Sequence, residues 1–103
     1  MSRDFRVIEC STNNLDEPKI EYNFLDYVSI RTTDSDCFWE IYESTDAKRF
    51  IEKPEDELRV FDSIVFKKTK LLDIIDKYEC DLQEQLKELI DRSNFDYIVL
   101  QLF

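Results

Sequence analysis

Residues 70–103 read KLLDIIDKYECDLQEQLKELIDRSNFDYIVLQLF, and this stretch decides the fold. Apolar residues recur at steps of three and four over residues 70–92, which predicts an amphipathic helix with Thr69 as its N-cap. The stripe consists of Leu71, Ile75, Tyr78, Leu82, Leu86 and Leu89. We favour one continuous helix because the stripe keeps its phase. The alternative is a second helix capped by Asp81 and Glu84, with a kink near Cys80.

The chain ends on YIVLQLF, residues 97–103, which is uncharged and rich in β-branched and aromatic residues. Such a segment aggregates when it is exposed. We therefore expect it to form a strand inside a sheet, beside earlier strands and under the helix.

Three earlier segments show the composition or the alternation of strands. They are residues 5–10, residues 20–32 with a break near Asp26, and residues 58–66 with a bulge or break at Asp62. The third segment is apolar on both faces, which predicts a central position in the sheet.

A hairpin is predicted over residues 27–43. Cys37, Trp39 and Ile41 alternate with other residues, and the turn-forming sequence TDSD precedes them. On this alternation Trp39 faces the core, whereas Phe38, Glu40 and Tyr42 point outward together.

These elements predict a single α+β domain over residues 1–103. It has four to five mainly antiparallel strands, one long amphipathic helix packed on one face, and the C-terminal strand in the sheet.

The composition argues against catalysis, because the chain has no glycine and no histidine. Phosphate-binding loops and nucleophile elbows need glycine, and histidine is the most common general base and metal ligand. Asp34, Asp36 and Asp46 lack the central glycine of a calcium loop. We therefore expect no enzyme activity, no catalytic residues, no cofactor and no metal.

The net charge also argues against two classes of partner, nucleic acids and anionic membranes. The chain carries 24 acidic and 14 basic residues, a net charge of -10, which disfavours direct binding of nucleic acids and of anionic membranes. No stretch approaches the roughly 20 apolar residues of a membrane span, and no signal peptide is recognisable.

Three cysteines without metal-type spacing, Cys10, Cys37 and Cys80, indicate reduced, buried thiols and a cytoplasmic location. The basic cluster Lys67, Lys68 and Lys70 is interpreted as protecting a strand end from aggregation.

The acidic residues are concentrated in residues 34–57, which hold nine acids against three basic residues, a net of -6. Aromatic side chains in the same block favour a protein-binding site, because binding hot spots are rich in aromatic residues and negative charge captures basic partners. The predicted partner-binding residues are Asp34, Asp36, Phe38, Glu40, Tyr42, Glu43, Asp46, Glu55, Asp56 and Glu57.

These observations favour a small acidic inhibitor of a basic enzyme, in particular a nuclease toxin, with carboxylates placed where phosphates would bind. Immunity proteins, antitoxins and some phage anti-defence proteins work in this way. The alternative is a non-enzymatic subunit or adaptor that dimerises, or extends a partner's sheet, through a hydrophobic edge strand, for which the C-terminal strand is one candidate. The chain is expected to be a monomer or a homodimer.

Overall fold

A computed structural model describes the backbone of residues 3–15, 17–30, 35–43, 48–50, 62–77 and 81–102. Side chains are described for residues 5–15, 17–28, 39–43, 63–77 and 83–101. The strands are β1 (Arg3–Cys10), β2 (Tyr22–Ile30), β3 (Lys48–Phe50), β4 (Asp62–Lys67) and β5 (Tyr97–Leu102). The helices are α1 (Ser35–Tyr42), α2 (Lys68–Ile75) and α3 (Asp81–Arg92).

The sheet is antiparallel throughout. Four strands lie in the order β2-β1-β5-β4, and the three-residue β3 pairs with the outer side of β4. The predicted α+β class and the C-terminal strand inside the sheet are confirmed. β5 pairs with β1 on one side and with β4 on the other, and Ile98, Val99 and Leu100 are completely buried.

One face of the sheet carries the main core. Phe5 and Val7 of β1, Ile98 and Leu100 of β5, and Ile64 and Phe66 of β4 share this face by their register. The helices cover it with Leu71, Ile74, Ile75, Leu86, Leu89 and Ile90. We refer to this side as the helix face.

The opposite face carries a second, smaller apolar cluster. Ile8, Cys10, Val65 and Val99 form it together with Leu15 from the segment that joins β1 to β2. Cys10 is completely buried, as predicted, whereas the side chains of Cys37 and Cys80 lie outside the described residues. We refer to this side as the second face.

The long helix predicted over residues 70–92 is not a single helix. α2 starts at Lys68, not after a Thr69 cap, and ends at Ile75 with Asp76 as its C-cap. Gln83 of α3 donates from Nε2 to the Ile75 carbonyl oxygen at 2.9 Å, and Lys87 forms an ion pair with Asp76. These contacts satisfy the end of α2 and fix a second helix against it. The weaker alternative, a second helix from Asp81, describes α3 correctly.

The predicted hairpin over residues 27–43 is wrong as well, because residues 35–42 form α1. Ile41 and Tyr42 are adjacent in sequence and both completely buried. Neighbouring side chains point to opposite faces of a strand but lie only about 100° apart on a helix, so a helix buries both in one core.

No helix in the described part of the chain is long and apolar enough to cross a membrane.

Candidate partner-binding surface

The predicted acidic block lies partly outside the described residues. Asp34, Asp46, Glu55, Asp56 and Glu57 are not among them, and Asp36 and Phe38 are described only as backbone positions in α1. Glu40, in α1, and Glu43, directly after it, are exposed. At these two positions the carboxylates face solvent, where a partner could reach them.

Tyr42 does not point outward as predicted. Its side chain is completely buried, and its ring lies 5.6 Å from that of Trp39 in an edge-to-face arrangement. Trp39 is partly buried and packs against the main core. The two rings are three positions apart, which places them on one side of a helix. In this structure Tyr42 therefore serves the core, and α1 presents its exposed carboxylates without this ring.

Exposed aromatic side chains lie instead on β2. Tyr22, Phe24 and Tyr27 are 41%, 49% and 56% exposed. β2 is nine residues long and pairs with β1 on its inner side, and no described strand pairs with its outer side. A long edge strand with large apolar side chains is a typical protein-binding surface.

A β-bulge brings the third ring to the other two. The register pairs Ile8 with Phe24 but Val7 with Asp26, so Leu25 is the extra residue. Without it, Tyr27 would lie on the opposite face from Phe24, since the side chains of a strand alternate. With it, Tyr22, Phe24 and Tyr27 pair with Cys10, Ile8 and Arg6, which all belong to the second face. The Phe24 and Tyr27 ring centroids are 4.7 Å apart.

The outer backbone edge of β2 has an open half, residues 22–24, and a protected half that begins at the bulge. The Ser11 N–H donates to the Glu21 carbonyl oxygen at 2.9 Å, so Glu21 faces β1. Because antiparallel pairs alternate, the backbone groups of Tyr22 and Phe24 point away from β1. At the bulge, Asp26 Oδ1 accepts the Tyr27 N–H at 2.8 Å, which occupies that donor. The outer edge is therefore suited to strand pairing at residues 22–24.

Next to the protected half, β2 and α3 enclose a cleft of about 120 Å³ on the helix face. Its lining includes the acidic residues Asp26 and Glu88, the basic residue Arg92, and Tyr27, whose ring belongs to the second face. Val28, Gln85 and Leu89 complete it. Two carboxylates and one guanidinium give the lining a negative formal charge, which suits a small cationic group.

A buried carboxylate holds the open half of β2 in place. Glu9 of β1 is 5% exposed, and its Oε1 accepts from Asn23 Nδ2 at 3.3 Å. Its Oε2 accepts the Asn94 backbone N–H at 2.9 Å. Glu9 thus connects β2 to the segment between α3 and β5. It also holds the Asn23 side chain on the helix face, between Tyr22 and Phe24, whose backbone groups point away from β1.

The aromatic residues of this surface are visible in the sequence, but the strand pattern alone does not show that they share one face. Aromatic residues at 22, 24 and 27 break the period of two, so they do not look like one face unless the bulge at Leu25 is recognised. The predicted break near Asp26 is confirmed as that bulge. Which strand lies at the edge depends on the sheet order, which no local pattern contains.

Other chemistry is sparse in the described part of the chain. No group of three or more potential metal ligands is found there. Burial raises the pKa of the Cys10 thiol to about 11, the opposite of what an activated nucleophile needs. Comparison with protein-family models, with curated proteins and with solved structures gives no match to this chain.

Proposed function

We propose that this protein binds and inhibits a basic enzyme, in the manner of an immunity protein or antitoxin that blocks a nuclease, or of a phage anti-defence protein. The observation that carries the proposal is the charge: a net of -10 on 103 residues, of which -6 falls within residues 34–57. The exposed carboxylates of Glu40 and Glu43 belong to that block.

The physical basis is electrostatic complementarity. A nuclease needs a positive cleft to hold the phosphates of its substrate, and a folded protein with dense carboxylates is attracted to the same cleft. Long-range attraction raises association rates to about 10⁸ to 10⁹ M⁻¹s⁻¹ at low salt. Inhibition follows when the bound protein covers the cleft or a site beside it.

The first test is affinity capture from the native cytoplasm at low salt, with elution in a salt gradient and identification by mass spectrometry. We expect one basic nucleic-acid enzyme, released by salt, whose activity is lost when the purified protein is added back. Recovery of the protein alone, or of a neutral partner that stays bound at high salt, would overturn the proposal.

Charge reversal tests the acidic block. The variant Glu40→Lys/Glu43→Lys should slow association with the captured enzyme about tenfold at low salt and reduce its salt dependence. Asp73→Lys/Glu84→Lys makes the same change in net charge at exposed positions of α2 and α3 and serves as the control. Equal effects of the two variants would show that net charge, rather than the block, governs binding.

The second candidate function is an adaptor or subunit that pairs through a hydrophobic edge strand. The exposed rings of Tyr22, Phe24 and Tyr27 on β2 favour it, whereas the C-terminal strand lies inside the sheet and is not that edge. Light scattering of the purified protein separates a dimeric subunit from a monomeric inhibitor.

A further inference from the structure

We propose that the outer edge of β2 binds an extended segment of the partner in which apolar residues alternate with Lys or Arg. The inference rests on the proposed function in one respect, that the partner is a basic protein. It goes further because it assigns the binding to residues outside the acidic block and specifies the conformation and the sequence pattern of the bound segment.

The first step is backbone pairing. Tyr22 and Phe24 direct their N–H and carbonyl groups away from β1, as the Ser11–Glu21 hydrogen bond and the register require. An added strand would find two donors and two acceptors at this half of β2. The occupied N–H of Tyr27 ends the pairing, so the segment continues past the bulge without a ladder of hydrogen bonds.

The second step concerns the side chains on the second face. Tyr22, Phe24 and Tyr27 form a row of exposed rings there. Every second residue of an added strand would lie beside this row, since side chains of neighbouring strands are aligned in register. Apolar residues at those positions bury the rings, and burial of apolar area favours binding.

The third step concerns the opposite face. The intervening residues of the segment point to the helix face, where the cleft with Asp26 and Glu88 lies. A Lys or Arg side chain there would lie close to the two carboxylates, which attract cations. Arg92, on the same lining, neutralises only part of this charge. One strand of alternating apolar and basic residues therefore satisfies both faces.

Charge also decides against a second copy as the occupant. β2 (YNFLDYVSI) contains one acidic and no basic residue, so a β2–β2 pair offers no opposite charge to Asp26. Each copy also carries a net charge of -10, and this repulsion opposes self-association at low salt. A basic segment gains from the same two features.

The test uses a synthetic probe, a capped nine-residue peptide of alternating Val and Arg, titrated into the isotope-labelled full chain and followed by NMR. We expect shift changes at Tyr22–Phe24, Asp26 and Glu88. A Val/Glu peptide should not bind. A Val/Arg peptide N-methylated on alternate residues along its pairing edge should also fail to bind, because it cannot donate to β2. Binding of the N-methylated peptide with unchanged affinity would overturn the inference.

Variants test each step separately. Phe24→Pro removes the outward N–H of the edge but no hydrogen bond to β1, and it should bind the Val/Arg peptide about fivefold more weakly than Phe24→Ala, which lacks only the ring. The peptide controls leave the protein unchanged, so they remain decisive if the proline variant does not fold. Asp26→Asn/Glu88→Gln keeps the Asp26 acceptor and should weaken binding about fivefold. Glu84→Gln/Asp91→Asn changes the charge equally outside the cleft and should weaken it less than twofold.

The inference and the proposed function can fail independently. If a captured basic enzyme is inhibited equally by the wild-type protein and by a folded Phe24→Pro variant, the β2 site is wrong and the proposed function stands. If the Val/Arg peptide binds at β2 but no basic enzyme is captured or inhibited, the site stands and the proposed function is wrong. A doubled mass in solution that Phe24→Pro reduces to a monomer would instead assign the edge to a second copy and overturn the inference.

Discussion

At the scale of single residues, Glu9 is the carboxylate whose loss should cost the most stability among those described. Glu9 is only 5% exposed, and it accepts one hydrogen bond from the Asn23 side chain and one from the Asn94 backbone. Removing this buried acceptor breaks both hydrogen bonds, and a hydrogen bond to a charged group contributes about 1.5 to 3 kcal/mol, more than one between neutral groups.

We expect Glu9→Ala to lower the free energy of unfolding by about 2 kcal/mol, measured by urea denaturation. Glu9→Gln should lose less than half as much, because its amide oxygen accepts the Asn94 N–H while its NH2 donates to Asn23 once that amide turns over. Glu21→Ala, at an exposed position, is the control. A loss for Glu9→Ala no larger than for Glu21→Ala would contradict this role.

The raised pKa of the Cys10 thiol predicts slow reaction with thiol reagents in the folded protein. Burial raises the pKa of its thiol from 9.0 to about 11, and Sγ donates to the Thr12 carbonyl oxygen at 3.1 Å. In a Cys37→Ser/Cys80→Ser protein, thiol-specific labelling at about pH 8 should be about a hundredfold slower in the folded than in the urea-unfolded chain, because the thiolate is rarer.

The same pKa predicts how stability changes with pH. Between pH 9 and 11 the folded protein holds the Cys10 proton and the unfolded chain loses it, so the free energy of unfolding falls as the pH rises through this range. A Cys10→Ala variant of the double-serine protein should lack this contribution. Equal slopes with and without Cys10 would show that the thiol does not titrate differently on folding.

At the scale of elements, Lys68 makes a contact that the sequence did not predict. The sequence predicts that the cluster Lys67, Lys68 and Lys70 protects a strand end. In the structure Lys68 Nζ donates to the Ser93 carbonyl oxygen at 2.7 Å, directly after the last residue of α3. A cation at this end of a helix meets carbonyl groups without intrahelical partners and the negative end of the helix dipole.

We therefore expect Lys68→Met to lower the free energy of unfolding by about 1 kcal/mol, measured by thermal or urea denaturation. Lys70→Met is the matched control, since Lys70 is exposed and lies in the same cluster, and it should change stability by less than about 0.3 kcal/mol. If Lys68→Met has no greater effect than Lys70→Met but increases aggregation, the protective role would be the correct one.

The helices also show which parts of the fold a sequence can predict. Over residues 70–92 the apolar stripe predicts the buried face correctly at Leu71, Ile75, Leu86 and Leu89. It does not reveal the break, because both helices keep the same phase and the break depends on tertiary contacts such as that from Gln83 to Ile75. In α1 the eight residues SDCFWEIY fit a period of two as well as a helix, and only the shared burial of Ile41 and Tyr42 decides between them.

At the scale of the whole molecule, the order of strands decides which surfaces are available to a partner. The sequence predicts that the C-terminal strand is internal, because exposing it would lead to aggregation. It does not predict that β2 lies at the edge, since strand order depends on how the whole chain packs. The bulge at Leu25 then determines that three rings share one face of that edge. The candidate site could therefore be recognised as acidic and aromatic from the sequence, but its β2 part could not be located.

The net charge of -10 acts on the folded molecule as well as on its partners. Like charges repel more strongly in the compact state than in the expanded unfolded chain, and salt screens this repulsion. Raising NaCl from about 0.02 M to about 0.5 M should therefore raise Tm, by about 5 °C, as followed by circular dichroism. The variant Glu40→Gln/Glu43→Gln/Glu84→Gln, with a net charge of -7, should start at a higher Tm and gain less from salt. General effects of the salt on apolar burial are the same in both proteins, so the difference in gain isolates the charge. An equal gain in both, or a Tm that falls with salt, would mean that local ion pairs rather than net repulsion govern the electrostatic stability.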